Sequence, residues 1–273
     1  MIKFMKDPRD YQIMVLTSML FYGLFWLKFN LNIIWIVAIV AFALVTQFFA
    51  TRIWKLPRFE WRSALISGLS LSILMRCSSF ELSLGLAAIA ILSKFVFRWN
   101  GKHIFNPTNL ALAVGILGTD LVKIDPNQWG QGAILAFFIL CMGIFVSNKA
   151  CRSDVSFVFL GVFAFSLIAH TIWIDGQILN SLARLKTGSL LIFTFFMISD
   201  PKSTPDGRIG RYIFGATTAL FGVYLQLAQG IAAGLIISLV FMSLTTPFLD
   251  WLFPAERFEW NKKHDMGKVG ALG

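Results

Sequence analysis

Long apolar runs separated by short polar stretches dominate this chain. Ten such runs are present, and no polar stretch between them is long enough to form a soluble domain. They cover residues 12–28, 32–51, 63–75, 82–97, 105–118, 131–148, 154–173, 187–199, 210–227 and 229–249. Several are shorter than the roughly 20 residues that a straight transmembrane helix needs. We therefore predict an all-α integral membrane protein with about ten transmembrane segments.

Composition supports lipid as the solvent for most side chains. Hydrophobic residues make up 57% of the chain and charged residues only 14%, whereas soluble domains carry about 25% charged residues. The net charge of +10 would suit nucleic acid, but the basic residues lie in short clusters between apolar runs rather than on one polar face. The expected partner is therefore a lipid bilayer, and nucleic acid is not expected.

The positive charges predict the orientation of the segments. If the N-terminus is inside, alternate loops and tails hold 19 of the 24 Lys and Arg residues. The outside segments hold the other 5, which are Lys28, Arg76, Lys123, Arg184 and Lys186. Such an excess of inside charge fixes topology, and one segment more or fewer would invert every later loop. We therefore predict both termini to be cytoplasmic, and no cleavable signal peptide at the polar start.

The ten segments divide into two sets of five, which predicts an inverted repeat. The boundaries are a cytoplasmic tail at 1–11, a first repeat at 12–118, a second repeat at 131–249 and a cytoplasmic tail at 250–273. The third and eighth segments are short and rich in Ser, Thr and Gly. Short or broken segments in matching positions of two inverted halves indicate a site at the repeat interface, although tilted helices with small-residue contacts would give the same pattern.

The first motif is GKHIFNPTNLALAVG at 101–115. Pro107 suits a first helical turn and Asn106 a cap, so a helix is predicted to begin here and to leave free N–H groups at its positive end. With Thr108 and Asn109, these residues form one predicted wall of a cofactor site. The alternative is a well-capped helix with no ligand.

The second motif is MISDPKSTPDGRIGRYIFG at 197–215, which follows the short eighth segment. Asp200 and the proline after it end that helix, and a Pro-Asp-Gly turn follows. Arg208 and Arg211 then lie near the start of the ninth segment, where two arginines can bind a carboxylate or phosphate. Ser199, Asp200, Arg208 and Arg211 form the predicted inside-facing wall, the alternative being charges that only orient the segment.

Other chemistry is sparse. The middle of each span lacks Asp and Glu, which argues against a carboxylate-driven ion pump acting alone. Three scattered cysteines and three dispersed histidines predict neither a disulfide nor a metal site. No nucleotide loop or nucleophile motif is present, so catalytic residues are not predicted.

Together the two motifs resemble a known family, RnfD/NqrB. The segment KHIFNPTNLALAV and the SDP…GR…YIFG pattern are similar to motifs of two membrane proteins: the D subunit of Rnf-type electron-transport complexes and the B subunit of the sodium-pumping NADH:quinone reductase. The opening DPRDYQ is similar to the family's N-terminal signature. The resemblance covers about residues 7–250. It implies a urea-transporter-like inverted repeat, a bound flavin, redox or other membrane subunits as partners, and the bacterial inner membrane.

One departure concerns the flavin. Family members carry FMN linked to a threonine in an S-G-A-T-type motif between the fifth and sixth spans. Here that loop reads GTDLVKIDPNQWGQ, whose one threonine, Thr119, lacks the motif, and the Gly-Ala-Thr-Thr run at 215–218 lies inside the ninth segment. Covalent FMN is therefore not expected, which leaves noncovalent FMN or riboflavin, or no flavin.

The leading hypothesis is a membrane subunit of an electron-transport complex that couples electron transfer to ion movement and binds a flavin, or a partner's redox group, between its halves. A small-solute or flavin channel or carrier of the same fold, without redox chemistry, is the alternative. A structural anchor for a redox or secretion assembly is a third hypothesis.

Overall fold

A computed structural model describes residues 7–29, 32–125, 128–129, 132–174 and 184–260. The helices of the first half are α1 (Pro8–Phe25), α2 (Ile33–Ile53), α3 (Trp61–Leu74), α4 (Phe80–Val96) and α5 (Pro107–Gly118). The second half contains α6 (Ala133–Lys149), α7 (Ser153–Ile174), α8 (Gly188–Ile192), α9 (Arg208–Val223), α10 (Gly234–Ser243) and α11 (Thr246–Leu252). A π-helical turn extends α8 over Phe193–Met197 and another extends α9 over Tyr224–Ala228.

Four strands of two residues each accompany the helices. They are β1 (Arg76–Cys77), β2 (Arg98–Trp99), β3 (Lys102–His103) and β4 (Val122–Lys123). β1 pairs with β4 and β2 with β3, both antiparallel. The described chain is therefore built from helices, with two short ribbons that fix loops near the ends of α3, α4 and α5.

Each of the ten predicted apolar runs contains helix in the structure, and most helix ends lie within two residues of the predicted bounds. The larger differences concern the first and the tenth run. α1 begins at Pro8, inside the predicted tail 1–11, because the Asp7 side chain accepts the backbone N–H of Arg9 and Pro8 suits the first turn. The tenth run is divided between α10 and α11, which are bent by 47°. Residues 1–6 and 261–273 of the predicted tails lie outside the described residues.

Within the residues that the structure describes, two helices, α2 and α7, are long and apolar enough to cross a membrane, and the bent pair α10 and α11 would make a third. α3, α5, α6 and α8 are shorter apolar helices. Large apolar side chains point outward from the bundle: Trp173 is 89% exposed and Ile134 is 82% exposed. Such a surface belongs in lipid rather than in water. The protein is thus an all-α membrane protein, as its sequence predicts.

The helices pack in the same pattern in both halves. In the first half, α3 lies between α1 and α2, and α4 contacts α2 and α5. In the second half, α8 and its π turn lie between α6 and α7, and α9 contacts α7 and α10. The halves meet through α1 with α6 and through α5 with α10. These two main helix contacts between the halves therefore join helices at equal positions in the two halves.

Close approach of α3 and α8 to their neighbours depends on glycine. A Cβ on Gly68 of α3 would lie 3.1 Å from the backbone of Val40 in α2. A Cβ on Gly143 of α6 would lie 2.6 Å from the Cβ of Phe195, in the π turn after α8. Small residues at helix crossings allow this contact in membranes, and they bring both short helices into the centre of the bundle.

The loops gather at two ends of the bundle. At the β2–β3 end, Arg9 pairs with Glu60 and stacks on Trp260, and Lys102 pairs with Asp206. At the β1–β4 end, Phe29 packs on Trp129, Gln128 donates to the carbonyl of Ile73, and Ser189 donates to that of Asp125. Segments assigned to the inside by their charge thus meet at the β2–β3 end, and segments assigned to the outside meet at the β1–β4 end.

Candidate functional site

The first wall of the predicted site is the start of α5, where Asn106 is the cap. Its Oδ1 accepts the backbone N–H of Asn109 at 3.0 Å, which satisfies one of the free donors of the first turn. Its Nδ2 donates to the carbonyl of Met197 at 3.2 Å and lies 3.5 Å from a carboxylate oxygen of Asp200. One side chain therefore joins the start of α5 to the end of the α8 π turn.

The second wall is the loop around Asp200. Its carboxylate accepts the backbone N–H of Lys202 at 3.1 Å and lies 3.4 Å from Nε2 of His103. Burial by itself raises the pKa of Asp200, but the hydrogen bond and charge of His103 and the N–H of Lys202 outweigh it, so the pKa is lowered. Asp200 is thus a carboxylate held ionised at the meeting point of the two motifs.

A cavity of about 70 Å³ lies between these walls. Its lining includes five of the eight predicted site residues, namely Asn106, Pro107, Thr108, Ser199 and Asp200. Ser63, Ser67 and Ser70 of α3 add hydroxyl groups from the first half. A water in liquid occupies about 30 Å³, so the cavity has room for a few waters or one small ion. As packed here, it is far below the roughly 300 Å³ of the smaller organic-ligand pockets.

Asn109 faces away from that cavity. Its Nδ2 donates to the carbonyl of Ile236 in α10 at 2.9 Å, across the contact between the halves. Its Oδ1 is buried without a hydrogen-bond partner among the described residues. The predicted wall therefore divides: Asn106, Pro107 and Thr108 line the cavity, and Asn109 joins α5 to α10.

The two arginines of the second motif do not reach the cavity. Arg211 is buried, and its guanidinium binds the carboxylate of Asp154 at 2.6 and 2.8 Å and the carbonyl of Asp206. Arg208 is exposed, and it donates to the hydroxyl of Tyr212 and stacks over its ring at 5.6 Å. Arg211 therefore ties α9 to α7, while Arg208 lies on the surface and away from the rest of the predicted site.

Beside the cavity lies a group of charged side chains, here called the ion cluster, formed by the buried Lys102 and Arg152 and the partly buried Asp206 and Asp250. Lys102 Nζ lies 3.1 Å from Asp206 and 2.9 Å from Asp250, and Arg152 lies 3.3 Å from Asp206. Burial lowers the pKa of Arg152 to about 10, and Asp206 offsets only part of that effect. In the sequence, Lys102 and Arg152 count only as charges that orient the segments, and their role in this cluster is not predicted. The position of Lys102 inside the first motif is the one sequence feature that points to a role near the site.

A buried lysine close to the cavity is also absent from the site that the sequence predicts. Lys94, in the last turn of α4, donates from Nζ to the carbonyl and hydroxyl of Ser63 at 3.0 and 3.1 Å. Within the part of the chain that the structure describes, no carboxylate lies within 4.0 Å of this amine. Ser63 is a cavity residue, so the Lys94 amine lies directly behind the cavity wall.

A larger cavity, of about 340 Å³, opens at the β1–β4 end and between the halves. Leu74 and Leu112 of the first half and Phe163, Phe193 and Leu235 of the second give it apolar walls. Gln128, Thr187 and Gln226 add polar groups. Trp129 is also in the wall, and its Nε1 is buried without a partner among the described residues. In volume and in lining, this cavity matches pockets for organic ligands.

The threonines considered for a covalent flavin are engaged in their own helices. Thr119, at the end of α5, donates to the carbonyl of Gly115. Thr217 and Thr218 donate to carbonyls one turn earlier in α9. The Gly-Ala-Thr-Thr run is therefore helical, as its sequence position predicts.

Comparison with known proteins supports the resemblance drawn from the two motifs. The family described as "NQR2, RnfD, RnfE family" matches residues 121–259. The D subunit of the ion-translocating oxidoreductase complex of Cronobacter sakazakii is 24% identical over 173 residues, which cover 63% of this chain and 47% of that protein. The B subunit of the Na(+)-translocating NADH-quinone reductase of Pseudomonas aeruginosa strain LESB58 is 24% identical over 220 residues. The match covers 63% of this chain and 54% of that protein.

The chain spans about half the length of the curated relatives it matches. The family match includes α6 to α11, the loop at Asp200 and the ion-cluster residues Arg152, Asp206 and Asp250. It begins after α5, so the first motif lies outside it. Because the match covers half of the chain, this protein belongs to the NQR2, RnfD, RnfE family.

Proposed function

We propose that this protein is a membrane subunit of an ion-translocating electron-transport complex, of the kind for which its relatives are named. The observation that carries the proposal is the contact of Asn106 with Met197 and Asp200, because it brings the two family-like motifs to one point between the halves. Other membrane or redox subunits are the partners.

The proposed architecture is two inverted repeats of five crossings each. The matching packing of α1 to α5 and α6 to α10 supports it, as do the contacts of α1 with α6 and of α5 with α10. Helices at equal positions meet in this way when a two-fold axis relates the halves. The short α3 and α8 then occupy equal positions on either side of the axis.

The proposed orientation places the β2–β3 end in the cytoplasm of a bacterium, with the protein in the inner membrane and both termini inside. Support comes from the gathering of the charge-rich segments at that end, since cytoplasmic loops carry the excess of Lys and Arg. Cysteine accessibility tests the orientation: a cysteine in place of Trp99 reacts with an impermeant reagent only from inside, and one in place of Asp120 only from outside.

For the flavin, the 340 Å³ cavity is a better fit than the 70 Å³ cavity. Phe163 and Phe193 offer aromatic rings beside a planar cofactor, and Gln128 and Gln226 offer polar groups for its edge. A bound flavin supplies one- or two-electron transfer; this chain's residues hold and orient it. We propose that the flavin is noncovalent, because the loop that holds Thr119 lacks the S-G-A-T-type motif and the Gly-Ala-Thr-Thr run lies inside α9.

Purification in mild detergent, followed by visible absorption and fluorescence spectroscopy, tests the cofactor. We expect the wild-type protein to carry a noncovalent flavin that is released on denaturation. The Gln226→Leu variant should lose the flavin. The control variant Gln47→Leu, which changes a buried residue outside the cavity, should retain it. If wild-type protein shows no flavin bands, even after FMN or riboflavin is added, the flavin proposal is wrong. Isolation of stable redox subunits with a tagged chain tests the assembly separately.

A second candidate function is a channel or carrier for small neutral solutes or flavin, without redox chemistry. The hydroxyl-lined cavity of 70 Å³ favours it, because Ser63, Ser67, Ser70 and Thr108 suit a small polar solute. Uptake of urea-sized solutes or riboflavin into liposomes discriminates between the two. Rapid uptake that stops in a Ser67→Leu variant would support transport over electron transfer.

A further inference from the structure

A third cavity, of about 380 Å³, lies at the β1–β4 end between the first half and the segment that follows α5. We call it the β1 groove. Its apolar side is formed by α2 and the end of α3, and its polar side by β1, β4 and the residues beside them. The lining includes Asn32, Trp35, Ile36, Ile39, Arg76 and Lys123. It is separate from the two cavities between the halves.

Two of the few cations assigned to the outside face each other in this groove. Arg76 of β1 and Lys123 of β4 are direct partners in the antiparallel ribbon, and both line the groove. Side chains opposite each other in such a pair have Cβ atoms about 5 Å apart, and like charges there repel. The ribbon therefore holds two positive charges together at some cost in free energy.

Negative charge in the protein only partly compensates this pair. Among the described residues, no carboxylate lies within 4.0 Å of Arg76 or Lys123. Asp120 lines the groove but is exposed, and Asp125 acts on Arg76 from farther away. Burial lowers the pKa of Arg76 and Asp125 offsets part of that effect. The groove therefore keeps a net positive charge.

The groove also has hydrogen-bond donors and an apolar side. One guanidinium nitrogen of Arg76 donates to the carbonyl of Met75, and the guanidinium lies over the ring of Phe29 at 5.2 Å. The remaining N–H groups, the Lys123 amine and the Asn32 amide can meet an anion. Ile36, Ile39 and Trp35 continue from this polar part along α2, a helix long and apolar enough to cross a membrane.

From these features we propose that the β1 groove binds a phosphate-bearing amphiphile, with its phosphate between Arg76 and Lys123 and its hydrocarbon against Trp35, Ile36 and Ile39. Arginine pairs with phosphate through two parallel hydrogen bonds, and Trp at the membrane interface is typical of headgroup depth. An anionic phospholipid of the surrounding leaflet has this chemistry. The site does not depend on the redox proposal.

Native mass spectrometry of the full chain in mild detergent tests the site, with phosphatidylglycerol as the probe. We expect one tightly retained lipid per chain. Affinity falls about fivefold in Lys123→Gln, from the loss of one surface cation, and at least tenfold in Arg76→Gln, from the loss of a bidentate donor. Lys186→Gln, which removes an exposed cation at the same end but outside the groove, keeps wild-type affinity.

Two comparison ligands identify the feature that is recognised. Diacylglycerol with the same acyl chains lacks the phosphate and so measures what the phosphate contributes to binding. Inorganic phosphate lacks the acyl chains and so measures what they contribute. Both are expected to bind at least tenfold more weakly than phosphatidylglycerol. Equal binding of diacylglycerol, or an equal loss of affinity in Lys186→Gln, would overturn the site. If inorganic phosphate displaces the lipid and binds as tightly as the lipid does, the proposal of an amphiphilic ligand is wrong and the groove is a site for a soluble phosphate. If Arg76→Gln does not fold, Lys123→Gln decides, because Lys123 is exposed.

Discussion

Asp206 is the residue on which the ion cluster depends most. Its carboxylate accepts from Lys102 and Arg152, and it lies 3.4 Å from the backbone N–H of Phe258. The side chains of Lys102, Arg152 and Asp206 are only 7%, 5% and 9% exposed, so water screens these pairs weakly. Replacing Asp206 with Asn keeps the shape, but it leaves Lys102 with Asp250 alone and leaves Arg152 with no carboxylate within 4.0 Å among the described residues.

Breaking a buried ion pair by removing one partner costs about 3–5 kcal/mol. At about 2–4 °C of melting temperature per kcal/mol for a chain of this order of size, Asp206→Asn should lower the apparent melting temperature by about 6–20 °C. Arg208→Gln is the matched control, because that arginine is exposed and contacts Tyr212 of its own helix. It should change stability by less than about 0.5 kcal/mol.

Thermal unfolding in detergent, followed by tryptophan fluorescence or by the loss of the monodisperse peak, measures both variants. The double variant Lys102→Met with Asp206→Asn removes one charge of each sign and should be less destabilised than the sum of its single variants by at least about 1 kcal/mol. Two results would refute the reasoning that charge balance stabilises this end. One is a double variant whose loss of stability equals the sum of the single losses. The other is a fall in melting temperature for Asp206→Asn no larger than that for Arg208→Gln.

Three further predictions concern the packing and the cavity. Gly207→Ala should destabilise by about 1–3 kcal/mol because a Cβ would clash with the carbonyl of Phe253, whereas Gly85→Ala, with open space around it, should be neutral or stabilising in the same melting assay. The lowered pKa of Asp200 makes its carboxylate stabilising above the unfolded-state value of about 3.9. Stability should therefore fall as the pH drops through the folded pKa, and Asp200→Asn should lower stability at pH 7 and flatten that acid limb. Asn106→Ala should cost about 1–3 kcal/mol, from the lost cap and the lost inter-half hydrogen bond, while Asn106→Ser, which keeps a capping oxygen, should recover part of it.

Sequence reasoning located the helices and the meeting of the two motifs well. A cap is local chemistry, since Asn106 and Asn109 are three residues apart, and the start of α5 at Pro107 could therefore be predicted to the residue. The eighth segment likewise ends beside Asp200 because the next residue is proline. These features depend on neighbours in the sequence, and tertiary packing preserved them.

The fate of the two arginines could not be predicted in the same way. Arg208 and Arg211 are three residues apart on one helix, so their spacing predicts adjacent positions. What separates them is the position of α7, which places Asp154 beside Arg211 and nothing comparable beside Arg208 among the described residues. The sizes of the two inter-half cavities are also products of packing, and no motif reports whether a polar wall encloses 70 or 340 Å³.

The start of α5 and the end of the π turn after α8 meet inside the bundle at one side chain, Asn106. At 1.5 Å per residue, the 12 residues of α5 span only about 18 Å, less than the roughly 30 Å of the hydrocarbon core. Backbone groups at such a helix end need partners inside the protein. Asn106 serves two ends at once, because it accepts from the first turn of α5 and donates to the carbonyl of Met197 after α8. Any motion that parts the halves at the β2–β3 end therefore removes the donor from the Met197 carbonyl, although the cap of α5, which lies within one helix, is kept. The larger cavity at the β1–β4 end is already open with this inter-half hydrogen bond intact.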